Sequence, residues 1–190
     1  MRSAPVLSMD ETARMVGAWA WAEDRLYEVL GGWVASTVGP ATKVYFDSAS
    51  MHHAWRAQLW RERLPARLVA APGADVLVRP LSDGVETAMK SLSNLEGDVG
   101  RLAAYSRVVM ARTVVAYQDW RRRCSPSSDR PVARVLGIVV ADVVGDWQDG
   151  CRVLVDLLSG AGADHAIGAA ARASEDIERL WISPGPAPNA

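Results

Sequence analysis

Between Glu11 and about Thr37 the chain carries an apolar stripe at helical spacing, with a carboxylate in its middle. Val16, Trp19, Leu26, Leu30, Trp33 and Val34 recur at the three- and four-residue steps that line one face of an α-helix. Glu23 stands inside that stripe, four residues after Trp19 and three before Leu26. A carboxylate buried alone costs several kcal/mol, so this face demands a partner for Glu23 from another element. The next amphipathic stretch offers one, because His52 falls among Val44, Ser48, Trp55 and Leu59 at the same spacing. The constraint is therefore a set of helices packed around a small buried polar core.

The remaining helices follow from caps, breakers and periodicity. Asp10 is a suitable N-cap for the first helix, Glu11 adds favourable charge to its first turn, and Gly39-Pro40 ends it. Gly31-Gly32 marks a place where a neighbouring backbone can approach closely. A second helix is expected over 41–64, with Tyr45, Ala49 and Trp60 extending the face centred on His52. Asp47, Ser50, Gln58 and Arg61 lie opposite, and His53 falls on the flank beside Phe46 and Ala57. Pro65 stops this helix, and residues 64–94 read as a long connection. It holds a turn at Pro72-Gly73, an extended piece at Val76–Val78, and a short helix through Val85, Met89 and Leu92 capped by Ser82 or Asp83. A connection of this length carries the chain from one end of a bundle to the other.

Ser93-Asn94-Leu95-Glu96 has the form of a capping box, so a third long helix is expected to begin there. Its stripe runs from Val99 to Trp120 through Tyr105 and Tyr117, with Ser106 and Thr113 at the centre. After a loop at 125–130, Pro131 suits the first turn of a fourth helix that reaches about Ser159. Asp142, Asp146 and Asp149 form an acidic row at the edge of its apolar face, with Asp146 nearest the centre. The row reads as a solvated helix edge, although Asp146 and Asp149 also have a spacing that can hold Mg²⁺. A shorter helix over 164–180 covers the bundle, and the Pro- and Gly-rich residues 183–190 read as a disordered tail. Residues 1–182 are expected to form one domain.

Composition narrows the function classes. A formal net charge of −1 gives no broad electrostatic reason to bind nucleic acid or an anionic membrane. The cluster Arg121-Arg122-Arg123 falls at a helix C-terminus, where cations meet the helix dipole favourably. No apolar run approaches the roughly 20 residues needed to span a bilayer, and residues 1–13 lack the pattern of a signal peptide. A cytoplasmic location is expected. Cys124 and Cys151 lie about 30 Å apart along an antiparallel helix pair by rise alone, so both are expected as free thiols, Cys151 in the core. The Trp-rich stripe (Trp19, Trp33, Trp55, Trp120, Trp147) reads as core packing.

Four long amphipathic helices with a long connection between the second and third resemble the ferritin-like architecture. The segments Glu23–Trp33, His52-His53-Ala54-Trp55 and Asp142-Val143-Val144-Gly145-Asp146-Trp147 are similar to those of a group of uncharacterised bacterial ferritin-like proteins, over most of residues 11–160. The resemblance implies an all-α, up-down-down-up four-helix bundle with a short crossover helix and a C-terminal helix. Di-iron members of that class use one Glu from each of two helices and a Glu-x-x-His motif from each of the others. Carried over to this chain, the metal candidates are Glu23, His52, Asp142 and Asp146; the third helix presents Ser106 and Thr113, and no Glu-x-x-His occurs.

Three functions are expected from this set. In the first, the bundle binds a small molecule in a buried polar pocket, with Glu23 and His52 as an acid–base pair and Asp142 or Asp146 contributing. In the second, it is a non-catalytic bundle acting through subunit or partner contacts, and Glu23–His52 is a structural pair that fixes helix register. In the third, it is a di-iron or di-manganese oxidoreductase with an atypical ligand set. The first two need no cofactor; the third needs iron or manganese. A homodimer formed through an apolar helix face is expected in each case.

Overall fold

The computed structural model describes residues 6–64, 74–159 and 162–182, and the regular structure among them is all helical. Helix α1 (Met9–Val34) is capped by Ser8, not Asp10. Ser8 Oγ accepts from the Glu11 backbone N at 3.2 Å, and Glu11 Oε2 accepts from the Ser8 backbone N at 2.8 Å. That reciprocal box satisfies two of the free donors at the helix start. Helix α2 (Pro40–Arg61) opens with Pro40 behind Gly39, and α3 (Asp83–Ser93) is capped by Ser82 as expected. A 3-10 turn at Ala74–Leu77 replaces the extended piece and presses on α1, where a Cβ on Gly17 would overlap the Leu77 carbonyl. The turn assigned to Pro72-Gly73 and the tail at 183–190 lie outside the described residues.

The capping box expected at Ser93 does not form. Ser93 closes α3, with its Oγ donating to Lys90 O at 2.7 Å. The chain turns at Gly97, whose φ of +74° favours glycine, and then enters helix α4 (98–123). Helix α4 is built from Asp98–Ala103, a π-helical stretch Ala104–Met110 and Ala111–Arg123 in unbroken succession. Helix α5 (Arg130–Leu158) carries Pro131 in its first turn, and α6 (Ala163–Ile182) completes the order.

The partners along each helix give its direction. α1 and α2 make the most extensive contact and run antiparallel, with Ser50 Oγ donating to Tyr27 O and Arg56 donating to Glu23. α2 and α4 run the same way, because Tyr45 meets Tyr105 while Trp60 meets Tyr117 and Trp120. α5 opposes them, placing Asp146 near Tyr45 and His52 and Asp142 near Arg56. α6 lies over α3, α4 and the edge of α5. No helix among the described residues is long and apolar enough to cross a membrane.

Helix α2 is turned relative to the expected face. Its buried side runs through Thr42, Tyr45, Phe46, Ala49, Ser50, His53, Arg56, Ala57 and Trp60, while Val44 and Trp55 are exposed. This is a shift of one residue, roughly 100° of helix rotation. The large apolar residues on the outside outweighed the small and polar residues that fill the inside, so hydrophobic spacing favoured the wrong phase. Cys124 and Cys151 are free thiols, as expected, but Cys151 is half-buried and outside the core.

Candidate functional site

Four helices contribute side chains to one buried polar network. Glu23 from α1 is fully buried and accepts from three of them. His53 Nδ1 lies 2.5 Å from Glu23 Oε2, Arg56 Nε donates to the same oxygen at 3.0 Å, and the Tyr117 hydroxyl donates to Oε1 at 2.5 Å. Trp60 Nε1 in turn donates to the Tyr117 oxygen at 2.9 Å. The far side of the imidazole is also engaged, with the Tyr105 hydroxyl 2.7 Å from His53 Nε2. Every oxygen of Glu23 thus has a partner, as burial requires.

The partner expected for Glu23 was His52, and the structure corrects this to His53. His52 faces outward with 47% of its side chain exposed, and its Nδ1 lies 2.7 Å from Asp146 Oδ1. The correction has the same origin as the turned face of α2: adjacent residues on a helix point about 100° apart. Sequence reasoning also missed Arg56, which no apolar-spacing argument places inside. Yet Phe46, Ala49, His53, Ala57 and Trp60 already follow a three-to-four spacing in the sequence, and Arg56 adjoins that row.

Arg56 is the hub of the network. Its Nη1 donates to Asp146 Oδ2 at 2.7 Å and also meets Asp142 Oδ2, while its Nε serves Glu23. One guanidinium therefore ties α2 to both α1 and α5. The acidic row of α5 divides accordingly: Asp146 is buried, Asp142 is half-buried, and Asp149 points to solvent, where it pairs with Arg152 at 2.8 Å. A solvated edge describes only Asp149.

The protonation states follow from these partners. Burial is the largest influence on Glu23 and pushes its carboxyl up, but Arg56, His53 and Tyr117 together outweigh it and hold the group at about 2. Burial and then the Arg56 charge push His53 down, so the imidazole is neutral. A neutral ring facing a carboxylate at Nδ1 must carry its proton there, leaving Nε2 to accept from Tyr105. Burial pushes the Tyr105 and Tyr117 hydroxyls well up, which keeps both as donors. The nearby Arg56 Nη2, 2.9 Å from His53 Nδ1, is then a close contact and not a second donor to that nitrogen.

The third helix gives Tyr105 and Tyr117 where Ser106 and Thr113 were expected. Thr113 is buried but turns its hydroxyl back to Val109 O at 2.9 Å, and Ser106 Oγ is buried beside the Tyr45 hydroxyl. Tyr105 and Tyr117 are 12 residues apart, about a third of a turn out of line in a regular α-helix. The π-helical stretch Ala104–Met110 between them takes up one extra residue, so their separation behaves as about three whole turns. Both hydroxyls then reach the same network.

A di-metal centre does not fit the inner part of this site. Glu23 and His53 are metal-ligand types, but Arg56 lies between Glu23 and Asp146 as a fixed positive charge with donors and no lone pair. Two tyrosine hydroxyls and the Trp60 indole close the remaining sides. The outer end differs. His52, Asp142 and Asp146 bring one ligand atom each to within 4.8 Å of one another, a geometry that can hold a metal ion. No family model, curated protein or solved structure matches this chain.

Proposed function

We propose that this chain is a ferritin-like four-helix bundle in which a guanidinium occupies the place of the metals, and that it works as a non-catalytic binding bundle. The observation that carries this reading is Arg56, fully buried and bonded at once to Glu23 of α1 and Asp146 of α5. Carboxylates of a di-metal bundle converge on cations; here they converge on a side-chain cation. The antiparallel α1–α2 pair, the parallel course of α2 and α4, and the opposed α5 support the up-down-down-up arrangement. Acid–base catalysis at Glu23 would require a substrate to reach a fully buried pair whose polar atoms are already engaged by Arg56, Tyr105 and Tyr117.

Elemental analysis of the purified protein tests the reading directly. The expected result is less than stoichiometric iron and manganese, with a marked fall in melting temperature for Glu23→Ala and for Arg56→Ala. Stoichiometric iron or manganese that disappears in Glu23→Ala would overturn it.

A second reading is favoured by the outer triad alone. A single divalent cation held by His52, Asp142 and Asp146 would share its carboxylates with Arg56. Titration with Mn²⁺ and Zn²⁺ separates the two readings, because His52→Ala abolishes binding only if this outer site is used. Association of two copies is supported by the exposed stripe on α2, where Val44 is 66%, Met51 60% and Trp55 42% accessible. Met51→Glu is expected to shift a dimer to monomer in a sizing experiment.

A further inference from the structure

A narrow apolar slot opens between α1, α3, α4 and α6, separated from the ion network by the Trp19 ring, which packs on Tyr117 at 4.1 Å. Trp19, Ala22 and Leu26 of α1, Met89 of α3, Ala116 of α4 and Trp181 of α6 line it. The cavity is about 90 Å³, room for about three water-sized groups. Two polar features break its apolar lining, Arg112 and Thr113. Trp19 is itself nine-tenths buried, and its indole N–H has no hydrogen-bond partner among the described residues.

Beside the slot lies a wider cleft of about 650 Å³, and Arg112, Ala116 and Trp181 line both. Arg112 stands at the junction. Its Nε donates to Glu178 Oε2 at 2.9 Å and its Nη2 meets Glu178 Oε1, an arrangement that pushes the Glu178 carboxyl down, first through that hydrogen bond. The bidentate pair holds the guanidinium plane in place and uses one edge of it. The Nη1 end has no bond within the described residues and remains able to donate to an incoming anion.

We propose that this slot takes the apolar tail of a small carboxylate, whose head group rests on Arg112 at the junction with the open cleft. The chemistry selects this class from both ends. An aromatic and aliphatic interior too small for a ring system suits a short alkyl chain, and an oriented guanidinium at its mouth suits a carboxylate. The proposal goes beyond the binding role inferred above and does not depend on the Arg56 network, none of whose carboxylates lines the slot.

The test uses the full chain and straight-chain carboxylates from propanoate to octanoate, read by calorimetry and by tryptophan fluorescence. Saturable one-site binding is expected, gaining about fourfold per added methylene while the slot fills and levelling off afterwards. The alcohol of equal chain length is expected to bind about tenfold more weakly, as is each carboxylate to Arg112→Gln, because both remove one charge-assisted contact. Ala116→Leu, at a half-buried position lining the slot, narrows it and is expected to erase the chain-length dependence. Melting curves establish that each variant is folded, and Ala116→Leu decides the matter if Arg112→Gln is not. The proposal is overturned by an absence of saturable binding in the millimolar range, by a chain-length dependence that persists in Ala116→Leu, or by carboxylate and alcohol binding equally.

Discussion

At the scale of residues, three carboxylates share one buried guanidinium, and their dependence on it is unequal. Glu23 has two further donors, whereas Asp142 and Asp146 rely on Arg56 and, for Asp146, on half-exposed His52. Removing one member of a buried charge set leaves the others uncompensated, so Arg56→Met is expected to cost about 3–5 kcal/mol in denaturant unfolding. Glu23→Gln keeps the shape and loses the charge, and a loss of similar order is expected. The double variant Glu23→Gln with Arg56→Met should cost less than the sum of the two singles; a cost equal to or above that sum would show that shape, and not charge, governs the site. Acid sensitivity follows with a definite sign. Below 6.5 the unfolded chain protonates His53 while the folded chain holds it neutral, so stability begins to fall as the pH drops through that value. Below 4.5 the unfolded chain also protonates Glu23, which stays ionised in the fold down to about 2, and the fall steepens across that interval. Melting temperatures from pH 8 to pH 3 check both limbs, and His53→Gln should remove the upper one.

At the scale of elements, caps and breakers were legible because they are local chemistry. Pro40, Ser82 and Pro131 stand at helix starts as their side chains and rings dictate. Ser8 and Glu11 form the box that Ser93 and Glu96 only resemble, since the backbone at Ser93 is already the end of another helix. What sequence spacing did not reveal was phase. Val44 and Trp55 drew the expected face of α2 outward; in α4 Ser106 and Thr113 are buried as their spacing places them, but the spacing did not reveal the π-helical stretch that brings Tyr105 and Tyr117 into line. Two predictions belong here. Inserting one further alanine between Tyr105 and Tyr117, beyond the residue that the π-helical stretch absorbs, would turn Tyr105 by about 100° relative to Tyr117, so only one hydroxyl could serve the network. The expected readout is a large loss of stability, greater than that of Tyr105→Phe, which removes one hydroxyl and costs about 1–2 kcal/mol. Gly17→Ala is expected to displace the turn Ala74–Leu77 from α1 and lower the melting temperature, because the added methyl meets backbone and not a movable side chain.

At the scale of the molecule, the all-α class was readable because long amphipathic periods and a short crossover helix leave few other solutions. The presence of a buried acid was readable too, from Glu23 alone. Its surroundings were not, because Arg56, Asp142 and Asp146 look like surface residues until α2 and α5 are packed together. The order in which these groups leave the ribosome adds a consequence. Glu23, His53 and Arg56 all lie on the α1–α2 hairpin, in the first third of the chain, and their bonds are made within it. Within the fold Glu23 and Arg56 form a neutral pair across this hairpin, so packing α2 on α1 leaves neither charge alone. Tyr105 and Tyr117 arrive next, and the aspartates of α5 last, each meeting a partner that is already oriented. Synthesis from N- to C-terminus thus supplies the most deeply buried pair of the polar core before the groups that surround it.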